Sequence, residues 1–332
     1  MFRTGERKQS TMNDILYIVV PCYNEEEVLP ETSKRLRAKL EQLIADGKIS
    51  PDSRVMFVND GSKDATWTLI SRLHQECSLF CGLDLSRNRG HQNALLAGLM
   101  TAKERASMVI SMDADLQDDI DAVDSMVDKY LEGVDIVYGV RSSRKTDTFF
   151  KRFTAESFYR LMNALGAESV FNHADYRLMS KRALEGLSQF REVNLFLRGI
   201  IPMIGYRTDV VEYERGERFA GKSKYPLKKM LSFALEGITS LSVKPLRLIT
   251  GLGFFIFVVS ILMIIYNIAR WIVGATVPGW ASLSCSVWLI GGLILLALGV
   301  VGEYIGKLYL ESKDRPRFII REDLEKNDEE TV

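Results

Sequence analysis

The chain has 332 residues and balances 43 lysines and arginines against 43 aspartates and glutamates, a formal net charge of +0. That balance excludes a bulk positive field of the kind that binds nucleic acid without regard to sequence, so charge-based function must be local and no nucleic-acid partner is expected. Hydrophobic residues make up 47% of the chain but crowd into its last quarter, which reads as an ordinary globular domain carrying a membrane anchor.

The first stretch, "MFRTGERKQSTMND", is polar and lacks the apolar segment of a cleavable signal peptide. Residues 1–12 are expected as a disordered tail, with Met12 an alternative start. Beyond them short β-branched runs alternate with helical patterns. "ILYIVV" (15–20), "RVMFVN" (54–59), "FCGLDL" (80–85), "SMVISM" (107–112) and "DIVYGV" (135–140) read as strands. Val28 to Ile44, Ala65 to Glu76 and Asn93 to Arg105 read as amphipathic helices between them. The alternation predicts an α/β domain on a mainly parallel sheet over residues 13–225. Cys22, Cys77, Cys81 and Cys285 have no paired spacing and read as free thiols.

Parallel sheets bind ligands at the carboxyl ends of their strands, and polar motifs follow three of these strands directly. After the first comes "PCYNEEE". Pro21 and Tyr23 can shape a base pocket and Glu25 can hold ribose; alternatively Asn24 caps the helix that follows. After the second comes "DGSKD", where Asp60 can accept from a nucleobase or a ribose hydroxyl, or simply end a turn. After the fourth comes "DADLQDD". On an extended backbone Asp113 and Asp115 share a side while Ala114 points away, and two hard oxygen donors there suit Mg2+ or Mn2+ together with a substrate diphosphate. Asp118, Asp119 and Asp121 read instead as the acidic start of a helix.

Downstream, Leu227, Met230, Leu231, Ala234, Leu235, Ile238 and Leu241 fall at helical intervals. Residues 226–245 are therefore expected as an amphipathic juxtamembrane helix, lying in the interface or packed on the domain's own core. Two apolar segments follow, from about Leu246 to Ile268 and from Leu283 to Leu298 and beyond. Each approaches the roughly 20 residues that cross a bilayer, so residues 246–310 are expected as two transmembrane helices with a short external loop. Lys244 and Arg247 precede the pair, and Lys307, Lys313, Arg315 and Arg317 follow it, whereas the loop region offers only Arg270. The positive-inside rule then places the domain and a tail at 311–332 in the cytoplasm. Trp271, Trp280 and Trp288 stand near the loop ends, where aromatic rings settle at the interface. Glu303 interrupts the second segment late, as a residue near the cytoplasmic interface would.

Taken together, "VVPCYNEE", "VNDGSKDAT", "SRNRGHQNALLAGL", "MDADLQD", "YGVRSSR", "HADYRLMSKRAL", "NLFLRGI", "GKSKYPLKKM" and "GEYIGKLYLESKDRPRF" resemble the polyprenyl-phosphate glycosyltransferases of family 2, relatives of dolichol-phosphate mannose synthase. The resemblance runs from about Asp14 to Ile320. It implies a GT-A fold that moves a sugar, with inversion, from a nucleotide sugar to a lipid phosphate at the cytoplasmic face of the inner membrane. The donor it suggests is UDP-glucose and the acceptor undecaprenyl phosphate. It also implies a homo-oligomer, a tetramer, and a separate flippase downstream. In that pattern Pro21, Tyr23, Glu25 and Asp60 hold the nucleoside, Asp113 and Asp115 serve metal and diphosphate, and Arg141, Lys222 and Lys224 bind phosphate groups. Relatives commonly carry Pro where this chain has Asp119.

Asp175 of "HADYR" matches the position usually given to the catalytic base. The acceptor, however, is a phosphate monoester whose second pKa is about 6, so the attacking oxygen is already ionised at cytoplasmic pH. Asp175 is therefore expected to orient or to act electrostatically with Arg177, while Arg141, Arg177, Arg198 and Lys222 with the metal neutralise donor and acceptor phosphates. His91 and His173 are expected to be structural. Competing readings are a processive polysaccharide synthase, a non-catalytic scaffold that senses nucleotide sugar, and a transporter. The first lacks a QxxRW-type stretch, the second would hardly keep Asp60, Asp113, Asp115 and Asp175 together, and the third has only Glu303 as an intramembrane charge.

Overall fold

The structure, a computed structural model, describes residues 14–141, 173–193, 195–214, 244–272 and 279–326. The tail expected at 1–12, Lys222, Lys224 and nearly all of the juxtamembrane region at 226–245 lie outside the described residues. The described chain falls into two units. One runs to Glu214 and takes in the residues from Pro316 onward, and the other holds two long helices.

In the first unit, β1 (Leu16–Cys22), β2 (Arg54–Asn59), β3 (Phe80–Leu85) and β4 (Met108–Ser111) are parallel neighbours in the order β4-β1-β2-β3. β5 (Ile136–Arg141), β6 (His173–Ser180) and β7 (Thr208–Tyr213) extend the β4 side, with β6 antiparallel to both β4 and β5. β8 (Ile320–Asp323) closes the other edge, antiparallel to β3. The eight-stranded order is β7-β5-β6-β4-β1-β2-β3-β8. Each strand expected between residues 15 and 140 lies within two residues of its expected bounds.

Side chains alternate across this sheet and create two cores. Leu16, Ile18 and Val20 pack with Leu36 and Leu40 of α1 (Leu29–Ala45), Ile70 of α2 (Thr66–Glu76) and Met126 of α4 (Ala122–Leu131). Tyr17 and Val19 pack on the other face with Leu95 and Leu99 of α3 (His91–Arg105), Leu184 of α5 (Lys181–Ser188) and Leu197 of α6 (Leu197–Met203). Pro21 is tolerated in a central strand because the β1–β4 ladder ends at Val19 and Ser111, so the amide it lacks has no partner to miss.

α3 lies close on the sheet because Gly98 has no side chain: a Cβ there would stand 2.4 Å from Val19 Cγ1 and 2.7 Å from Val58 Cγ2. Gly98→Ala should therefore cost about 1–3 kcal/mol by overpacking. A drop of several degrees in the thermal midpoint checks it, and an unchanged midpoint would show that the core yields.

The second unit contains α7 (Lys244–Ile272) and α8 (Trp280–Ser312), of 29 and 33 residues. Among the described residues one stretch is long and apolar enough to cross a membrane, Leu289–Ser312, with mean hydropathy 2.0. The expected pair of spans is thus matched by two helices, of which only α8 meets that measure. Glu303 is exposed on α8.

The tail expected at 311–332 differs from expectation. Rather than trailing away, it returns to the first unit and adds β8 to the sheet. Covering the edge of β3 satisfies backbone groups that an open edge would leave to solvent.

Candidate functional site

The parallel strands end together, and the loops leaving them are tied to one another. Asn24, at a left-handed φ of 55°, receives the Lys63 amide on its Oδ1 at 2.9 Å and donates its own amide to Ser62 Oγ at 3.0 Å. The Glu25 amide donates to Thr66 Oγ1 at 2.9 Å, and Glu26 Oε2 accepts the Ala65 amide at 2.9 Å. Asn24 is therefore not the cap of α1; Val28 holds that position, Leu29 starts the helix and Pro30 lies in its first turn. The expected nucleoside residues are arranged along this seam, with Pro21 buried in β1, Glu25 half-buried and Tyr23 exposed.

Asp60 does more than end a turn. It is 2% exposed and accepts the Arg89 and Gly90 amides at 2.6 and 2.9 Å, which latches the start of α3 to the end of β2. Burial raises the Asp60 carboxyl above its ordinary value, and those two amides pull the other way.

At the end of β4 the backbone turns instead of continuing extended, with Leu116 at a φ of 57°. Ala114 packs into the core and its carbonyl accepts from Thr32 Oγ1 at 2.8 Å. The flanking Asp113 and Asp115 are both half-buried, so the expected division of the two carboxylates from Ala114 holds although the extended geometry does not. Asp115 Oδ1 accepts the Gln117 amide at 3.2 Å. Burial, helped by the charges of Asp118, Asp175 and Asp115 and opposed by His91, pushes Asp113 up to about 6.

The expected acidic helix start is divided. α4 begins at Ala122 with Asp121 at its N-cap, and Asp118 is instead buried, accepting from the Tyr213 hydroxyl with Arg141 Nη2 at 3.6 Å. Arg141 Nε also donates to that hydroxyl at 3.3 Å. Asp119 accepts the Asp121 amide on Oδ1 at 2.9 Å, and its carbonyl accepts from Tyr176 at 2.9 Å. That side-chain turn fixes the backbone here, the job a proline ring does by fixing φ.

Beside the acidic turn stands a cationic cluster from β6 and α6. The Asp175 carboxylate pairs with Arg177, which is 1% exposed, and with Arg198 through Nη2 at 3.0 Å and Nε at 3.3 Å. Burial alone would raise the Asp175 carboxyl, but Arg198, Arg177 and His91 together hold it well below the usual carboxylate range. His91, the first residue of α3, sets Nε2 3.5 Å from Asp113 Oδ1 and 3.7 Å from Asp175 Oδ2, so it bridges the two groups. The sequence named no partner for His91; its place right after Gly90, at a helix start, was the available signal. For His173 the structure gives only its place at the start of β6.

The donor set fits a hard divalent cation. Two half-buried carboxylates on one turn leave most of an octahedral shell to water and substrate phosphate, as Mg2+ or Mn2+ sites beside diphosphates usually do. Arg177 and Arg198 against the single carboxylate of Asp175 leave an excess positive charge next to it, which suits a second anion at the half-exposed Arg198.

The chain is similar to known proteins over most of its length. The Glycosyl transferase family 2 description matches residues 17–188, and the GtrB C-terminal hairpin description matches residues 244–308. An uncharacterized glycosyltransferase, YkoT, of Bacillus subtilis (strain 168) is 56% identical over 93% of this chain and 92% of its own. A bactoprenol glucosyl transferase of Shigella phage SfV is 42% identical over 93% of this chain and 99% of its own. Among solved structures, the mannosyl-3-phosphoglycerate synthase from Rubrobacter xylanophilus superposes with a TM-score of 0.46 at 14% identity, covering 72% of this chain and 75% of that one.

Proposed function

For a chain that belongs to glycosyl transferase family 2 and has the α/β architecture of the GT-A fold, we propose the transfer of glucose from UDP-glucose to a polyprenyl phosphate at a membrane surface. The observation that carries this reading is the pairing of the Asp113–Asp115 turn with the Asp175 cluster, in a chain that continues into a matched GtrB hairpin. The bactoprenol glucosyl transferases, similar over nearly their whole length, supply sugar and acceptor class.

Pro21, Tyr23 and Glu25 would line the nucleoside, with Asp60 holding the loop opposite. Asp113 and Asp115 would hold the divalent ion, which when bound supplies charge neutralisation for the leaving diphosphate. Arg141, and Lys222 and Lys224 from outside the described residues, would meet donor phosphates. A phosphate oxygen of the acceptor attacks the anomeric carbon, the bond to UDP breaks, and configuration inverts. The acceptor arrives ionised, so no residue has to take its proton. Asp175, held ionised by two arginines, is a poor proton acceptor and a good clamp: it fixes Arg177 and Arg198 where the acceptor's charge must be offset.

A hairpin of two spans fits the same reading. β8 follows α8 in sequence and shares a sheet with β1 to β7, which precede α7. A sheet cannot be divided by a bilayer, so the number of crossings between β7 and β8 must be even, and a crossing by α8 calls for a second by α7. This favours both ends on one side of the membrane, and the distribution of Lys and Arg favours the cytoplasmic side. A tetramer and a separate flippase belong to this reading only as the resemblance implies them.

Purified protein incubated with UDP-glucose, undecaprenyl phosphate and Mg2+ should yield a lipid carrying a single hexose by mass spectrometry. EDTA should abolish the product and Mg2+ or Mn2+ restore it. No lipid product from any UDP- or GDP-sugar would sink the reading, and a polymer would favour a processive synthase.

A further inference from the structure

β3, the strand that β8 covers, carries Asp84, a carboxylate that is 0% exposed. Such a group is tolerated only where its charge and lone pairs are met. Its Oδ1 accepts from Asn59 Nδ2 at 2.7 Å, and its Oδ2 faces the guanidinium of Arg321, which arrives from β8 at the far end of the chain. Asn59 in turn accepts the Ser62 amide on Oδ1 at 3.2 Å, Ser62 Oγ receives the Asn24 amide, and Asn24 Oδ1 receives the Lys63 amide. The turn in this chain is tightly seated. Gly61 has φ 63°, and a Cβ there would lie 2.5 Å from the Asn88 amide nitrogen.

We infer that Arg321 is a positioning residue for the donor: its ion pair with Asp84 orients Asn59, and Asn59 fixes the Gly61–Ser62 turn that holds Asn24 and its neighbours Tyr23 and Glu25. With Oδ2 of Asp84 engaged by Arg321, Oδ1 is left to the Asn59 amide. That commits Nδ2 to Asp84 and the carbonyl oxygen to the Ser62 amide. Loss of Arg321 frees the carboxylate to rotate, and the hydrogen-bonded chain loses its fixed end. The inference rests on the reading of these loops as the nucleoside side of the site.

β8 has anchors that do not involve Arg321. Arg105 pairs with Asp323 at 2.7 Å and with Glu325 at 2.8 Å, and Tyr17 donates to Glu325 at 2.7 Å. The Ser86 amide donates to the Ile319 carbonyl at 2.9 Å, and Leu324 packs where Gly82 leaves room, 2.8 Å from the site of a missing Cβ. Changing Arg321 alone therefore leaves the strand docked and alters only the pairing of Asp84.

The test uses full-length protein in nanodiscs, with UDP binding in Mg2+ measured by calorimetry and steady-state kinetics measured for both substrates. Arg321→Met should weaken UDP by about tenfold and raise KM for UDP-glucose in step. The turnover number and KM for polyprenyl phosphate should stay within about twofold, since neither reads the nucleoside loops. Arg182→Met, which breaks a comparable ion pair with Asp135 elsewhere on the domain, should lower the melting midpoint and leave UDP binding alone. Should Arg321→Met not fold, the double variant Arg321→Met with Asp84→Asn, which buries no unpaired charge, carries the test and should still bind UDP weakly. Unchanged UDP affinity in a folded Arg321 variant overturns the inference, as does a parallel fall in every kinetic constant. Wild-type protein that does not bind UDP overturns the underlying functional reading instead.

Discussion

Asp115→Ala should lower the formation of lipid-linked sugar by on the order of 10³-fold. A metal that stabilises developing charge on the leaving diphosphate contributes several kcal/mol, and each 1.36 kcal/mol is a factor of ten in rate. Asp115 is half-buried on a turn whose core contact is made by Ala114, so the fold should survive the substitution with little change in thermal midpoint. Asp119→Pro is the matching control. Asp119 contributes a backbone carbonyl to Tyr176 and a side-chain turn to the Asp121 amide, and a proline keeps the first and supplies a substitute for the second. Its activity should remain within a few-fold of wild type. Turnover that survives Asp115→Ala unchanged would remove the metal assignment, and equal losses in both variants would point to the loop rather than to the ion.

Arg177→Met should be the most destabilising single change in the site. Arg177 is 1% exposed and pairs with the Asp175 carboxylate, so its removal strands a buried charge, a loss of about 3–5 kcal/mol. In a domain of this size that is a fall of roughly 10 °C in the thermal midpoint. Arg198→Met, at the half-exposed partner, should cost roughly 1 kcal/mol. The deficit of Arg177→Met should also depend on pH. In the wild type the Asp175 carboxyl lies below its unfolded value, so its contribution is complete above about pH 4 and is lost as pH falls through the depressed folded value. Without Arg177, burial drives the group upward, and the variant loses stability as pH rises through that raised value. The gap between the two proteins should therefore widen from pH 5 to pH 8. A gap that stays flat would mean that Arg198 alone keeps Asp175 ionised. Activity should fall with Arg177→Met even where the protein is cold enough to stay folded, because the cluster around Asp175 has lost one of its cations.

Much of the site was legible because its chemistry is local. "DADLQDD" directly after a β-branched run identifies a turn at a strand's carboxyl end, and the alternation of strand and helix patterns identifies a parallel sheet that gathers such turns together. Asp113 and Asp115 could be put forward as candidates on those grounds alone. Asp118 could not: three residues beyond Asp115 in sequence and identical in type, it is buried against Tyr213 and Arg141, which come from β7 and β5. Nothing in the local pattern separates a capping aspartate from one that holds two distant strands. The contacts of His91 were not legible for the same reason, since its two carboxylate neighbours belong to β4's loop and to β6.

The sequence by itself determined the first five strands to within two residues, the helices between them and the two long apolar segments, and it offered Asp113 and Asp115 as candidates for a cation, because side-chain periodicity and turn chemistry act over a few residues. Only the tertiary structure decided that the last segment is β8 rather than a tail. "IRED" is short and three-quarters charged, with no pattern that marks a strand, and its partner β3 lies at the opposite end of the chain. Pairing at an edge depends on backbone hydrogen bonds and on the ion pairs of Arg105 and Arg321, and those exist only once the parallel sheet has brought Asp84 and Arg105 to that edge.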